Sequence, residues 1–137
     1  MFRQYNNKTP TTPPPESSEL DLRTDVDRAS FICLIRQAAM HFGSDRRVSV
    51  HSRPAVFIRQ RDGMCFVLPA TTQHSASDPR FYAIPKSDVL WTQPEKARDS
   101  FIFQRYEAVS RANLLAKIGV LFPRAQVSVV DWLRSRY

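Results

Sequence analysis

The sequence predicts a mainly β protein with α segments, folded as a small, strongly curved β-barrel with a helix near each end of the chain. From Arg46 onward, short β-type runs alternate with turn residues, which is typical of small barrels. Residues 25–42 and the stretch after Pro123 instead place apolar residues at helical intervals. At 137 residues the chain suits one domain with a single modest core.

The first segment, residues 1–22, is rich in proline, threonine, serine and asparagine and holds few apolar side chains. Such a composition buries too little apolar surface to offset the entropy lost on ordering the chain. We therefore predict a tail that is disordered or partly polyproline II. Its basic and acidic charges cancel, so the positive excess of the chain falls on the folded part.

A helix is predicted over residues 25–42, within a segment at 23–43. Thr24 and Asp27 resemble a capping box, and Gly43 supplies a C-terminal stop. The apolar residues between them form a broad stripe at helical spacing: Val26, Ala29, Ile32, Cys33, Leu34, Ala38, Ala39 and Phe42. We expect this helix to pack on the barrel, or across a dimer, and to cover apolar surface there. The alternative is that it lies over the groove at Arg53 and Thr71 as an inhibitory lid.

The barrel itself is predicted to occupy residues 44–137. Its strands are β-branched or aromatic runs bounded by turn signals. They are expected at Ala55–Ile58, Met64–Leu68, Arg80–Ile84 and Phe101–Gln104, with a hairpin turn at Arg61–Gly63, a long polar loop from Pro85 to Asp99, a helical turn at Ser110–Leu115 and a closing helix after Pro123.

The net charge of +7 predicts an anionic partner. Sixteen of the 20 basic residues are arginine, whose planar guanidinium suits a bidentate grip on phosphate. No basic amphipathic helix and no apolar run of ~18 residues appears, so nucleic acid is favoured over a membrane. The two cysteines, Cys33 and Cys65, lie far apart in apolar runs. We expect reduced core residues, a cytoplasmic setting, and neither a metal nor another cofactor.

Polar side chains flank one end of the predicted hairpin. Arg53 precedes its first strand, and Thr71 follows its second. Because hairpin strands run antiparallel, these two residues are predicted neighbours. An arginine beside a hydroxyl, with no adjacent histidine–carboxylate pair, suits the stabilisation of a developing negative charge. The alternative is a surface salt bridge for Arg53 and a turn-capping role for Thr71.

Further side chains are candidates for contacts with a ligand. Thr72 and Gln73 continue the polar strand end, and His74 could transfer protons near neutral pH, although a solvated loop histidine is the alternative. Trp91, within the polar loop, is the best candidate for stacking on a base.

Four stretches, in this order, resemble the MazF/PemK toxins of type II toxin–antitoxin systems. They are SRPAVFI at 52–58, GMCFVLPATTQ at 63–73, FQRYEAVSR at 103–111 and KIG at 117–119. The resemblance covers residues 52–137. It implies an SH3-like barrel of the CcdB/MazF type that forms a homodimer and binds a cognate acidic antitoxin. It also implies cleavage of single-stranded RNA without metal, leaving a 2′,3′-cyclic phosphate.

Position by position, the resemblance makes Arg53 and Thr71 the catalytic pair and places Gln73 and Gln104 near the substrate groove. Before Arg53 the chain departs from the family pattern, because a Gly-Asp strand and a glutamate are missing there. A second interpretation therefore stays open, in which a catalytically degenerate barrel binds RNA or a protein partner.

Overall fold

The structure, a computed structural model, describes residues 20–26, 28–44, 50–72 and 77–137. Within these ranges the chain forms eight strands and one α-helix, with four short 3-10 segments. The strands are β1 (Phe31–Arg36), β2 (Ser52–Arg61), β3 (Met64–Thr71), β4 (Phe81–Ile84), β5 (Val89–Trp91), β6 (Ser100–Phe103), β7 (Glu107–Ser110) and β8 (Leu114–Leu121). The helix α1 is Pro123–Arg134, and the 3-10 segments are Gln37–Ala39, Lys86–Asp88, Pro94–Lys96 and Arg111–Asn113.

All eight strands pair antiparallel in one sheet with the order β4-β6-β3-β2-β1-β8-β5. β7 lies outside this order and pairs with β3. β6 and β7 follow one another along the same edge of β3, with a bend at residues 104–105 between them. The sheet curls into a half-barrel, which confirms the mainly β, curved part of the prediction.

The hairpin between β2 and β3 is the best predicted element. Arg61 pairs with Met64 across a two-residue turn in which Asp62 and Gly63 both have positive φ, 55° and 78°. An Asp-Gly pair is the preferred sequence for such a turn, because glycine adopts positive φ without strain. A local turn sequence therefore sets the register between β2 and β3.

The predicted helix over residues 25–42 is wrong, because residues 31–36 form strand β1 between β2 and β8. Both faces of β1 are covered by apolar side chains. Ile32 packs in the cluster beneath α1, whereas Cys33 and Ile35 pack in the cluster on the opposite face. A strand buried on both faces is a continuous apolar run, and such a run also satisfies helical spacing.

The segment before β1 lies against α1 and belongs to the same core. Leu22, Val26 and Ala29 are buried with the inward face of the helix. The guanidinium of Arg134 donates to the carbonyls of Leu22 (2.9 Å) and Val26 (2.6 Å). The apolar surface of α1 is thus covered by a turn and irregular chain before β1, and the predicted packing of a helix there is not observed. Residues 1–19 lie outside the described residues, so the tail stays a prediction there.

The remaining elements divide between those predicted and those missed. The closing helix after Pro123 is confirmed, with proline at its first position. β7 and β8 were not predicted as strands, and the helical turn expected at Ser110–Leu115 is a 3-10 segment at Arg111–Asn113 that ends where β8 begins. The long polar loop contains the short strand β5. Cys33 and Cys65 are buried free thiols, as expected. No helix among the described residues is long and apolar enough to cross a membrane.

Candidate functional site

Arg53 and Thr71 lie at the same end of the β2–β3 hairpin. Ala55 pairs with Pro69, and extending this register by two residues puts Arg53 opposite Thr71. Both line a cavity of about 150 Å³. The other residues lining it are Val50, Ser52, Pro54, Ala70 and Thr72. The structure therefore brings together the two residues that the sequence predicted as neighbours, and Thr72 with them.

The guanidinium of Arg53 is held by neighbours rather than extended into solvent, and the residue is 5% exposed. Its Nε donates to Oε1 of Gln37 at 2.9 Å, and its Nη1 donates to the carbonyl of Ala70 at 3.3 Å. The ring of Phe42 lies beneath it, 5.0 Å from Cζ to the ring centroid, within range of a cation–π contact. The side chain is thus fixed in orientation at the wall of the cavity.

The chain at 41–43 covers this guanidinium and is itself fastened by side chains. The carboxylate of Glu107, at the start of β7, accepts hydrogen bonds from the backbone N–H groups of His41 (2.8 Å) and Phe42 (2.9 Å). The side-chain amide of Gln37 donates to the carbonyl of Phe42 at 2.8 Å. Gly43 has φ +79°, and a Cβ there would lie 2.8 Å from Cζ of Arg53. Only glycine leaves room for the guanidinium at this position.

Three phenylalanines extend this support. Phe42 packs against Phe103 with ring centroids 5.1 Å apart and more loosely against Phe81, and Phe81 and Phe103 are 5.1 Å apart. Sequence reasoning did not select Gln37, Phe42 or Glu107. Their roles depend on contacts between segments far apart in the chain, and no local pattern signals them.

A second, larger cavity of about 270 Å³ adjoins the first and shares Pro54 and Thr72 with it. It is lined by Ile32, Leu34, Pro54, Thr72, Trp91, Glu95, Lys96, Arg98, Ser100 and Ile118. The indole of Trp91 is fixed by a hydrogen bond from Nε1 to the carbonyl of Lys86 at 2.8 Å. The structure therefore places Trp91 next to the Arg53/Thr71 cavity, although 20 residues separate Trp91 from Thr71.

The other predicted contact residues are placed differently. Gln104 lies in the bend between β6 and β7 and lines neither of these two cavities. Its N–H donates to the carbonyl of Arg80 at 3.0 Å, and its carbonyl accepts the hydroxyl of Tyr137 at 3.1 Å. Gln73 and His74 lie outside the described residues, so their predicted roles stay predictions.

The chemistry of the smaller cavity follows from its lining. Arg53 is the one ionisable side chain among the described residues that line it, and Ser52, Thr71 and Thr72 add hydroxyl groups. An arginine and several hydroxyls are donors that suit the non-bridging oxygens of a phosphodiester. The larger cavity is mainly apolar, with an aromatic wall and basic residues at its rim, and it suits a planar ring system better than a phosphate.

Comparison of the chain with models of known protein families finds no match. Comparison with curated proteins also finds no similar sequence.

Proposed function

We propose that this protein is a toxin-like endoribonuclease of the MazF/PemK type, with an SH3-like barrel, that cleaves single-stranded RNA without a metal ion. The observation that supports it best is the meeting of the Arg53 guanidinium and the hydroxyls of Ser52, Thr71 and Thr72 at one cavity. The overall charge of +7 favours an anionic polymer as the ligand.

In the proposed reaction the RNA supplies its own nucleophile. The 2′-oxygen attacks the adjacent phosphorus, and the bond from phosphorus to the 5′-oxygen breaks. The 2′-hydroxyl loses its proton and the leaving 5′-oxygen gains one, so the products are a 2′,3′-cyclic phosphate and a 5′-hydroxyl. Arg53 and Thr71 stabilise the negative charge that develops on the phosphorane oxygens. His74 is the candidate for proton transfer.

The proposal includes the partners that the resemblance implies. A cognate acidic antitoxin would compete with RNA for the basic surface, and the active form would be a homodimer in the cytoplasm. The antitoxin and the homodimer follow from the resemblance and the charge. The antitoxin is testable by co-expression with a neighbouring small acidic reading frame, and the homodimer is testable by sedimentation.

The direct test is cleavage of a labelled single-stranded RNA pool in the presence of EDTA. Arg53→Ala should lower the cleavage rate by about 100-fold or more, because removal of a donor to the developing charge has an effect of that size. Arg59→Ala is the matched control, since Arg59 lies on the same strand and donates to the carbonyl of Asp25 at 3.0 Å, away from the cavity. Equal rates for wild type and Arg53→Ala would remove Arg53 from the mechanism.

A second function is favoured by a separate observation. Arg53 is almost fully buried, and the described part of the cavity lining contains no carboxylate or imidazole that could accept a proton. A barrel of this kind could bind RNA without cleaving it. Binding that weakens steeply with salt, with no cyclic phosphate product after prolonged incubation, would support this binding module over the nuclease.

A further inference from the structure

The larger cavity beside the Arg53/Thr71 site has the properties of a binding site in its own right. Its inner wall is formed by strand residues Ile32, Leu34 and Ile118 together with Trp91. Its outer rim comes from the chain around the 3-10 segment Pro94–Lys96. One chain segment, residues 85–99, therefore supplies both the aromatic wall and the charged rim.

Trp91 is held in place before any ligand arrives. Its Nε1 donates to the carbonyl of Lys86, and its backbone pairs with Gly119 of β8. A Cβ at Gly119 would lie 3.3 Å from Cε3 of Trp91 and 2.6 Å from the side chain of Val89. The absence of a side chain at Gly119 thus lets the indole lie close to the β8 backbone. A fixed aromatic ring loses little conformational freedom on binding, which favours affinity.

Size and charge restrict the class of ligand. A volume of about 270 Å³ falls just below the range of about 300–1,000 Å³ for drug-sized ligands, so the cavity suits one ring system. Lys96 and Arg98 place positive charge at the rim, Thr72 and Ser100 contribute hydroxyls, and the carboxylate of Glu95 can accept a hydrogen bond. A planar heteroaromatic group attached to an anionic backbone matches this arrangement.

We propose that this cavity binds one unstacked nucleobase of a single-stranded RNA, stacked on Trp91, while the adjoining phosphate lies in the Arg53/Thr71 cavity. The inference rests on the proposed binding of RNA and deepens it. Pro54 and Thr72 line both cavities, so a base and its neighbouring phosphate can occupy them at the same time. Glu95 also lines this cavity, and its carboxylate can accept a hydrogen bond from an exocyclic amino group, as acidic side chains do from cytosine.

The experiment measures binding without cleavage. Three oligonucleotides are used, all built from 2′-O-methyl nucleotides, which lack the 2′-nucleophile. The first contains only cytidines and the second only uridines. The third is the cytidine strand with one abasic position. Affinities are measured at 50 mM salt with the full chain carrying Trp132→Phe, so that Trp91 is the single tryptophan and its fluorescence reports contact. We expect Trp91 quenching by the intact strands and affinity roughly 5- to 150-fold weaker for the abasic strand.

Variants separate stacking from folding. Trp91→Leu should bind intact and abasic strands equally weakly, and Trp91→Phe should restore most of the difference. Leu90→Ala is the matched control, because Leu90 is the neighbouring β5 residue, is 58% exposed and does not line the cavity. Melting curves show whether each variant is folded.

The outcomes distinguish this inference from the proposed function. If wild type binds the intact and abasic strands equally and Trp91→Leu changes neither, the base site is wrong, while RNA binding at Arg53 stands. If wild type binds no strand at 50 mM salt, the proposed RNA function fails, and the base site with it. Discrimination of cytidine from uridine that disappears in Glu95→Gln would extend the assignment to Glu95.

Discussion

At the residue scale, the position of Arg53 is set by residues that surround its guanidinium. Gln37 and Ala70 accept its hydrogen bonds, Phe42 lies under it, and Gly43 passes against it. An arginine fixed this way needs little reorganisation when negative charge develops nearby, which is the condition for strong electrostatic stabilisation. The position of the guanidinium therefore depends on Gly43 as well as on its hydrogen-bond partners.

Two variants, Gly43→Ala and Gly63→Ala, test this dependence. Gly43 and Gly63 have nearly the same φ, +79° and +78°, but a Cβ at Gly63 meets nothing within 4 Å, whereas a Cβ at Gly43 meets Arg53. Both substitutions should destabilise the fold by about 1–2 kcal/mol through backbone strain, as measured by urea unfolding. Gly43→Ala should in addition weaken RNA binding or cleavage at least tenfold, because the guanidinium must move. Equal RNA activity in the two variants would contradict the role of Gly43.

A second residue-scale prediction concerns pH. Burial, with a smaller contribution from nearby Cys65, raises the pKa of the Cys33 thiol from 9.0 to about 12. The unfolded chain then loses this proton at lower pH than the folded one, so the stabilisation is fully present below pH 9 and is lost as pH rises toward 12. Between pH 9 and 10.5, wild type should lose about 1–2 kcal/mol more unfolding free energy than Cys33→Ala. Parallel pH profiles of the two proteins would refute the prediction.

At the scale of elements, the two ends of the described chain stabilise each other. The N–H of Ala29 donates to the carbonyl of Gln126 in α1 at 3.1 Å, and Arg134 near the end of α1 donates to two carbonyls of the segment before β1. The apolar side chains of that segment and of α1 share one core. The helix consequently fixes the position of Leu22, Val26 and Ala29, which precede β1.

Replacing Arg134 at the end of α1 should destabilise the segment that precedes β1. Arg134→Met leaves two partly buried carbonyls without their donor, which should lower the free energy of unfolding by about 1–3 kcal/mol. It should also increase hydrogen exchange at the Ala29 amide. Arg136→Met is the control. Arg136 is exposed, and its Cζ lies 5.9 Å from the ring centroid of Trp132, so its loss should lower the free energy of unfolding by about 0.5–1 kcal/mol at most. Similar losses in the two variants would show that Arg134 does not couple the segments.

At the scale of the whole molecule, the net charge of +7 should control affinity for RNA. A strand whose phosphates make about four contacts should give a slope of log affinity against log salt near −3. Raising salt from 50 to 200 mM should then weaken binding by roughly 50-fold, as measured by fluorescence anisotropy. The double variant Lys96→Gln, Arg98→Gln should reduce the slope by about 1.4, since each phosphate contact contributes about 0.7. A slope near zero for wild type would exclude phosphate binding as the main interaction.

The sequence by itself determined the features that depend on neighbouring residues. Asp62-Gly63 defines the turn between β2 and β3, and antiparallel pairing then puts Arg53 beside Thr71. The closing helix follows from Pro123 and the spacing after it, and the reduced cysteines follow from their apolar surroundings. Each of these needs only local geometry or composition, and each could be read without knowing how distant segments meet.

Only the tertiary structure decided that residues 31–36 are a strand, because their apolar run fits a helix or a doubly buried strand equally well until β2 and β8 cover it. It also decided that Glu107 fastens the chain at His41, 66 residues away. The cavity at Trp91 and the position of Gln104 outside both cavities likewise depend on how the sheet curls. Packing between distant segments sets these features, and no local pattern in the sequence encodes it.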